Sequence, residues 1–339
     1  MEKLLGKTLD ELKQVAVECG LRPFVGKQLA EWMYSKKVVS WDGMTNIGNA
    51  AKAALGGRYE IGASAPVGSA LSSDGTKKYL FPAAETFAVE AVVIPDDGRR
   101  TLCVSSQAGC RMGCRFCMTG RQGWHGNLSA ADILNQFLSV DEPSSLTNAV
   151  FMGMGEPMDN YQAVERALEV LTADWGFAWS PKRITVSTVG VIPTLKQFLD
   201  KSRCHLAVSL HNPFPDQRAA MMPVQKAYPL EDVVALLKQY DFTGQRRVSF
   251  EYIMFAGVTD TKAHIDALIR LLRGLECRIN LIRFHAIPDF PLKPSAAPAI
   301  EAFKKRLNDS GITTTLRASR GEDVMAACGL LAGKGLKKN

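Results

Sequence analysis

"NAVFMGMGEPMDNYQAVERALEVLT", Asn148 to Thr172, is followed by "RITVSTVG", Arg183 to Gly190, and this stretch decides the fold. "NAVFMGMGE" is a near-continuous apolar run that ends in glycines, as expected for a strand covered on both faces. "YQAVERALEVLT" spaces its apolar residues along one helical stripe, and "RITVSTVG" is a second strand. Strand, amphipathic helix, strand is a parallel β/α unit. Working outward, the same alternation repeats. Further strands are expected at "TLCVSSQ" (Thr101–Gln107), "CHLAVSLH" (Cys204–His211), "RVSFEYIMFAG" (Arg247–Gly257) and "RINLIRFHA" (Arg278–Ala286). Further helices are expected at "SAADILNQFLSV", "IPTLKQFLDK", "LEDVVALLKQY", "KAHIDALIRLLRGL" and "APAIEAFKKRLNDSG". Six strands and six helices make an α/β chain that suits an open, partial TIM-like (β/α)6 barrel better than a closed eightfold one, with function at the C-terminal ends of the strands. "TTTLRASRGED" and a short helix over "VMAACGLLAGKG" follow the sixth unit.

Upstream the pattern changes twice. Residues 1–58 read as a small helical domain. In it "TLDELKQVAVECG" has Thr8 as N-cap, Gly20 as C-cap and Leu12, Val15 and Cys19 on one stripe, and "GKQLAEWMYSKK" and "MTNIGNAAKAALGG" follow. Residues 59–100 read as a β-meander linker, with Asp-Gly turns at Asp74-Gly75 and Asp97-Gly98 around "TKKYLF" and "TFAVEAVVIP". Phe87, Val89, Ala91 and Val93 share one face of that strand. Glu90 points the other way, where a lone Glu ordinarily meets solvent. The barrel then spans 101–333, and 334–339 form a basic tail.

Of the 339 residues, 46% are hydrophobic and 22% charged, as in an ordinary globular protein. A chain of this length needs no metal or disulfide to fold, so a metal here is expected to be functional. No apolar run reaches the ~18 residues of a membrane span. The opening "MEKLLGKTLDELKQ" is an amphipathic helix without a signal-peptide core, so a cytoplasmic location is the expectation. Lys and Arg number 41 against 34 Asp and Glu, a net charge of +7 that suits nucleic acid as well as a plain solvated surface. The basic clusters "GRR", "SPKR", "GQRR", "KKR" and the tail lie at element ends, where a fold can gather them on one rim.

Eight cysteines in a reducing compartment are not a disulfide framework. Cys19, Cys204 and Cys277 sit singly on apolar stretches and read as packing residues. Cys110, Cys114 and Cys117 are different. "CRMGCRFC" packs three thiols in C-x₃-C-x₂-C spacing into the loop after the first barrel strand. Three thiolates can hold three irons of a [4Fe–4S] cube and leave the fourth open to a ligand. A zinc site with His125 as fourth ligand is the competing reading of the same residues, although such sites commonly come as two paired knuckles.

C-x₃-C-x₂-C at this place, with Phe116 before the last Cys, resembles the radical S-adenosylmethionine (SAM) superfamily. In that superfamily the open iron binds the amino and carboxylate groups of SAM, whose reductive cleavage gives a 5′-deoxyadenosyl radical. "FMGMGEP" resembles its Gly-Gly-Glu element, pointing to Gly155 and Glu156. More closely, "TLCVSSQAGCRMGCRFCMTG", "GMGEPMDN", "ITVSTVGVIP", "AVSLHNP" and "RASRGEDVMAACG" resemble, in order and over nearly the whole chain, the RlmN/Cfr family of rRNA adenine methyltransferases. The resemblance implies SAM contacts also from Ser187, Ser209, Leu210 and His211. In "NLIRFHAIPDF" it departs: His285 stands at the family's usual SAM-contacting Asn, and Arg283 where Pro is usual.

The resemblance also implies a chemistry. Adenine C2 is not nucleophilic, so methyl transfer would take two SAM per turnover. Cys328 would accept a methyl group from the first. A radical from the second would remove a hydrogen from that S-methyl group, and the methylene radical would add to the ring. Glu90 would be the proton acceptor, and Cys103 would attack the Cys328 sulfur, releasing product and leaving a disulfide. Cys103 lies on the strand that feeds the cluster loop, where its side chain can face the lumen. The implied targets are adenosine 2503 of 23S rRNA and adenosine 37 of tRNAs, with the base splayed out and phosphates held by Lys and Arg. Lys27, Lys36 and Lys37 of the helical domain are candidate RNA contacts. Reductive cleavage requires an electron donor such as flavodoxin or ferredoxin, and the enzyme is expected to be a monomer. Methylation at C8, the Cfr activity, uses the same cysteines. Other classes to weigh are a zinc-dependent, non-catalytic RNA-binding module and a radical SAM enzyme of a small metabolite.

Overall fold

The computed structural model describes residues 1–84, 87–244 and 246–335. Three antiparallel strands, β1 (Gly68–Leu71), β2 (Lys77–Ala84) and β3 (Phe87–Asp96), form the meander and pair in turn with β4 (Arg99–Cys103). From β4 onward every neighbour is parallel: β5 (Asn148–Phe151), β6 (Ile184–Thr188), β7 (His205–Ser209), β8 (Val248–Met254) and β9 (Arg278–Arg283). These six parallel strands are those expected from the sequence. A seventh, β10 (Thr313–Leu316), adds parallel to β9. "TTTL" carries one buried Thr and no apolar run, so its strand character comes from the sheet edge beside it. β10 and β1 are the two ends of this path and do not pair among the described residues, so the barrel is open. No break in the sheet falls between residues 100 and 101, because β4 begins at Arg99 and continues the meander into the barrel.

Helices cover the outside. The helix Tyr161–Thr172 buries Val164, Ala167, Leu168 and Leu171 on one stripe. Ser129 caps the helix Ala130–Leu138 in a capping box with Asp132, which fixes where the chain turns back after the cysteine loop. The N-terminal helices are Leu9–Glu18, Phe24–Ala30 with a π turn to Ser35, and Asn49–Gly56. Thr8 caps the first with Glu11 as its partner. A Cβ on Gly26 would lie 2.5 Å from the backbone of Lys13, so glycine sets the contact between the first two helices. Residues 44–48 are not helical, although "MTNIGNAAKAALGG" suggested one continuous helix. The domain docks on the barrel through the buried Tyr34, whose ring lies 5.9 Å from that of Trp175.

The stretch "VMAACGLLAGKG" is not a helix. Residues 321–333 run through turns, with Gly321, Gly329 and Gly333 at positive φ, and Lys334–Gly335 pair antiparallel to β3. Residues 336–339 of the expected basic tail lie outside the described residues.

Candidate active site at the C-terminal mouth of the barrel

After β4 the chain makes a short antiparallel ladder, Gln107–Gly109 with Trp124–Asn127, and the loop between them carries Cys110, Cys114 and Cys117. Cys110 N–H donates to Gly123 O (2.8 Å). A Cβ on Gly120 would stand 2.9 Å from the backbone N and O of Cys114, so the helical turn after Cys117 folds tightly back on the loop. All three thiols line one cavity. Burial pushes Cys110 up to about 12, Cys114 well above the ordinary thiol range and Cys117 in the same direction. Such thiols stay neutral on their own; a coordinating metal makes them thiolates. Among the described residues no three His, Cys, Asp or Glu side chains converge at single-ion distance. His125 is exposed, stacks on Phe87 at 4.2 Å and does not line the cavity.

The opposite wall comes from the ends of β5, β6 and β7. Gly155 has φ +96, and a Cβ there would lie 2.5 Å from Gln107 Cβ. Beside it Glu156 is buried, with its carboxylate accepting from the amides of Met158 (3.0 Å) and Val189 (2.9 Å). Burial dominates and raises it to about 7 despite those bonds. Ser187, one residue before the end of β6, and Ser209, the last residue of β7, line the same cavity. His211 is held at φ +57, edge-on to Phe116 at 5.0 Å. Burial first, then Arg218, depresses it to about 3, so it is a neutral imidazole. Its Nδ1 is buried and has no hydrogen-bond partner. Leu210 does not line the cavity with its side chain; it contributes backbone, donating to Glu251 O and accepting from Arg218 Nε (3.0 Å).

A second cavity adjoins the first and shares Cys117, Arg317 and Cys328 with it. Cys103 is buried in its wall and Cys328 is exposed at its rim. The segment bearing Cys328 is tied to the cysteine loop by Met118 N–H to Gly329 O (2.8 Å) and Thr119 Oγ1 to Leu331 O (2.5 Å). His285 lines this second cavity rather than the first and bonds Ser319 Oγ at 3.0 Å, so it stands apart from the residues expected to hold SAM with it. Glu90 is not solvent-facing as its strand context suggested. It is 5% exposed, pairs with Lys78 Nζ at 2.8 Å, and its Oε2 accepts from the amides of Ala332 (2.9 Å) and Gly333 (3.3 Å). It shares a sheet face with Cys103, since Val92 pairs with Cys103, but it lines neither cavity.

Three residues that sequence patterns did not single out build this site. Arg218 is fully buried and braces Leu210 O, Ser209 O and Val189 O across two strand ends. Glu251 and Arg317 form an ion pair at 3.2 Å in the lumen. Burial is the largest single influence and lowers the Arg317 guanidinium, but the attraction of Glu251, its hydrogen bond and the nearby Cys328 and Cys103 together hold it above its ordinary range. A Glu amid the apolar "VSFEYIM" was the available signal for Glu251; Arg218 had none.

An open parallel barrel with three thiols in the loop after its first strand defines a class. Residues 104–272 match the family model of the radical SAM superfamily, and residues 2–61 match that of the ribosomal RNA large subunit methyltransferase N-terminal domain. The chain is 55% identical over 329 residues to a probable dual-specificity RNA methyltransferase RlmN of Porphyromonas gingivalis, covering 97% of this chain and 96% of that one. It is 38% identical over 336 residues to the dual-specificity RNA methyltransferase RlmN of Syntrophus aciditrophicus, covering 98% and 96%. A crystal structure of a radical SAM methyltransferase from Sphaerobacter thermophilus superposes with a TM-score of 0.92 at 36% identity, covering 98% of this chain and 99% of that one. The chain belongs to the RlmN family of the radical SAM superfamily. The cofactors of that superfamily, a [4Fe–4S] cluster and SAM, fit the residues present: three thiols of one loop lining one cavity, the glycine cradle at Gly155, and the unpartnered Nδ1 of His211.

Proposed function

We propose that this chain is a dual-specificity RNA methyltransferase that methylates C2 of adenosine 2503 in 23S rRNA and of adenosine 37 in tRNAs. The observation that carries the reading is the placement of Cys103 and Cys328 on one cavity that adjoins the three-thiol loop. When bound, the cluster supplies the electron for SAM cleavage, and SAM supplies the methyl group and the hydrogen-abstracting radical. In this reading Cys110, Cys114 and Cys117 hold the cluster. Gly155, Glu156, Ser187, Ser209, the Leu210 backbone and His211 hold SAM. Cys328, exposed at the rim, accepts the methyl group and then joins enzyme to base. Cys103, buried behind it, attacks the Cys328 sulfur to free the product. Glu90 is the proton acceptor, supported by its position on the sheet face of Cys103 and against the backbone just after Cys328. His285 acts at the second cavity, near the base, rather than on SAM. The electrons come from a small donor of flavodoxin or ferredoxin type. The enzyme works in the cytoplasm as a monomer; no helix among the described residues is long and apolar enough to cross a membrane.

The test is anaerobic incubation of the reconstituted protein with methyl-deuterated SAM, reductant and either a 23S rRNA fragment or tRNA, then nucleoside mass spectrometry. Deuterated 2-methyladenosine from both RNAs is the expected product. The 8-methyl isomer would overturn the assigned carbon, and unlabelled RNA from an iron-loaded enzyme would overturn the function. Alanine at Cys110, Cys114 or Cys117 should abolish iron loading and SAM cleavage together.

A further inference from the structure

The N-terminal mouth of the barrel, opposite the cysteine loop, gathers cations that the site above does not use. Arg99 begins β4, Lys182 precedes β6, His205 begins β7, Arg247 precedes β8 and Arg278 begins β9. Register brings the last three together. Leu206 pairs with Val248, which sets His205 beside Arg247, and Ser249 pairs with Arg278. His205, Arg247 and Arg278 line a cavity in the lower lumen, with Ser249 level with Arg278 and Asn280 above it.

Among the described residues no carboxylate lies within ion-pair distance of Arg99, Lys182, Arg247 or Arg278. The one carboxylate that lines the cavity, Glu251, is already paired with Arg317 and accepts from Asn280 Nδ2 (2.7 Å). His205 is 6% exposed and both of its ring nitrogens face donors. Arg247 N–H points at Nδ1 (3.0 Å), and Arg247 Nε (3.3 Å) and Nη2 (3.1 Å) approach Nε2. A neutral imidazole accepts at one nitrogen only. At the other, N–H meets N–H, and the pocket has more donors than acceptors. Burial, then Arg247, Lys182 and Arg278, depress His205 to about 4, so the ring is neutral and leaves the charge of the surrounding cations uncompensated. All four cations are exposed, but Arg247 and Arg278 line the lower cavity beside the buried His205 ring, with Arg99 and Lys182 on the rim outside it.

We propose that the lower mouth of the barrel is an oxyanion site of phosphate size, built by Arg247, Arg278 and His205 and attracted by Arg99 and Lys182. A phosphate supplies the acceptors that this donor set lacks, and guanidinium groups bind it as paired N–H donors. The phosphate belongs either to an RNA backbone or to a free small anion, and the experiment separates the two.

Isothermal titration of the full chain with inorganic phosphate, in sulfate-free buffer at constant ionic strength, should show one site. Arg247→Gln/Arg278→Gln should weaken it about tenfold or more, as removal of charge-assisted hydrogen bonds does. Arg99→Gln/Lys182→Gln changes only exposed positions, so the fold survives, and it should weaken binding by a smaller factor. Loss of 23S fragment affinity in the same variants, with competition by phosphate, assigns the site to RNA backbone. Unchanged RNA affinity with lost phosphate binding assigns it to a free anion. No phosphate binding by the wild type, or equal binding by both double variants, overturns the site. The titration needs neither iron nor SAM, so its outcome is separate from that of methyl transfer.

Discussion

Cys103 and Cys328 share a cavity but not an environment, and in the proposed function that difference orders their reactions. Cys328 is exposed. Cys103 is buried, and burial, with Cys328 next in effect, pushes its thiol up to about 12. At neutral pH it is a neutral thiol, and in the proposed function it attacks only once the Cys328–RNA bond has formed. Cys103→Ala should therefore accumulate protein joined to RNA through Cys328. A denaturing gel with labelled RNA shows a shifted band, and the Cys103→Ala/Cys328→Ala variant shows none. Product released at the normal rate by Cys103→Ala would remove Cys103 from the mechanism. The raised pKa has a sign: the thiolate fraction grows as pH rises toward 12. Release of the wild-type adduct in a single-turnover chase should accelerate with pH, approaching about tenfold per unit. Gly155 gives a second test. At φ +96, with Gln107 2.5 Å from a Cβ, Gly155→Ala strains the backbone by about 1–3 kcal/mol and moves the Glu156 cradle. SAM binding by equilibrium dialysis should fall while iron content stays unchanged.

The element that carries Cys328 shows where local sequence stops being informative. "VMAACGLLAGKG" is rich in Ala and Leu and reads as a helix on propensity. It is instead tied to the meander just before its start and near its end. Gly321 N–H donates to Asp74 (2.9 Å), Asp323 accepts from Ser72 Oγ (2.6 Å) and Ser73 N–H (3.0 Å), and Glu90 takes Ala332 and Gly333. Those partners lie more than 240 residues away in sequence, so no window along the chain reveals them. The same distance hid Glu90, whose buried state follows from a segment that arrives at the end of the chain. Asp74→Ala/Asp323→Ala should lower the Tm and slow methylation by loosening Cys328. The pH dependence follows from both groups. Burial raises Asp74, but hydrogen bonds from Gly321, Thr76 and Ser72 outweigh it and hold it below 3.8. Asp323 is lowered by Ser72. Their contribution is complete above the unfolded value and lost as pH falls below it. The difference in Tm between wild type and the double variant should narrow as pH drops from about 5 to about 3.

For the molecule as a whole, the barrel was legible because each β/α unit repeats a local pattern, and the three-thiol loop because its spacing is local. The Glu251–Arg317 pair was not, since strand register alone brings it together; of the lower-mouth cations, Arg99, Lys182 and Arg247 fell in basic clusters at element ends, and Arg278 joins them only through register. The N-terminal domain is the instructive case. Lys27, Lys36 and Lys37 read alike in sequence as RNA contacts, and the fold separates them. Lys37 is half-buried, donates to Pro143 O at 3.0 Å and stands 5.6 Å from the Phe177 ring, so it fastens the helical domain to the barrel. Burial lowers its pKa. Lys36 pairs with Glu31 at 2.8 Å and lies over Trp32. Lys27 is exposed and pairs with no carboxylate among the described residues. A cation free to meet a phosphate releases a counterion on binding, whereas one holding two domains together does not. RNA affinity should fall linearly with log salt, and Lys27→Ala should reduce that slope by about 0.7–0.9 for each phosphate that the lysine neutralises. Lys37→Ala should leave the slope unchanged and lower the Tm instead, because the substitution removes the hydrogen bond to Pro143 and the packing on the Phe177 ring. If Lys37→Ala flattens the salt dependence while Lys27→Ala does not, the RNA lies across the domain junction rather than over the first helices.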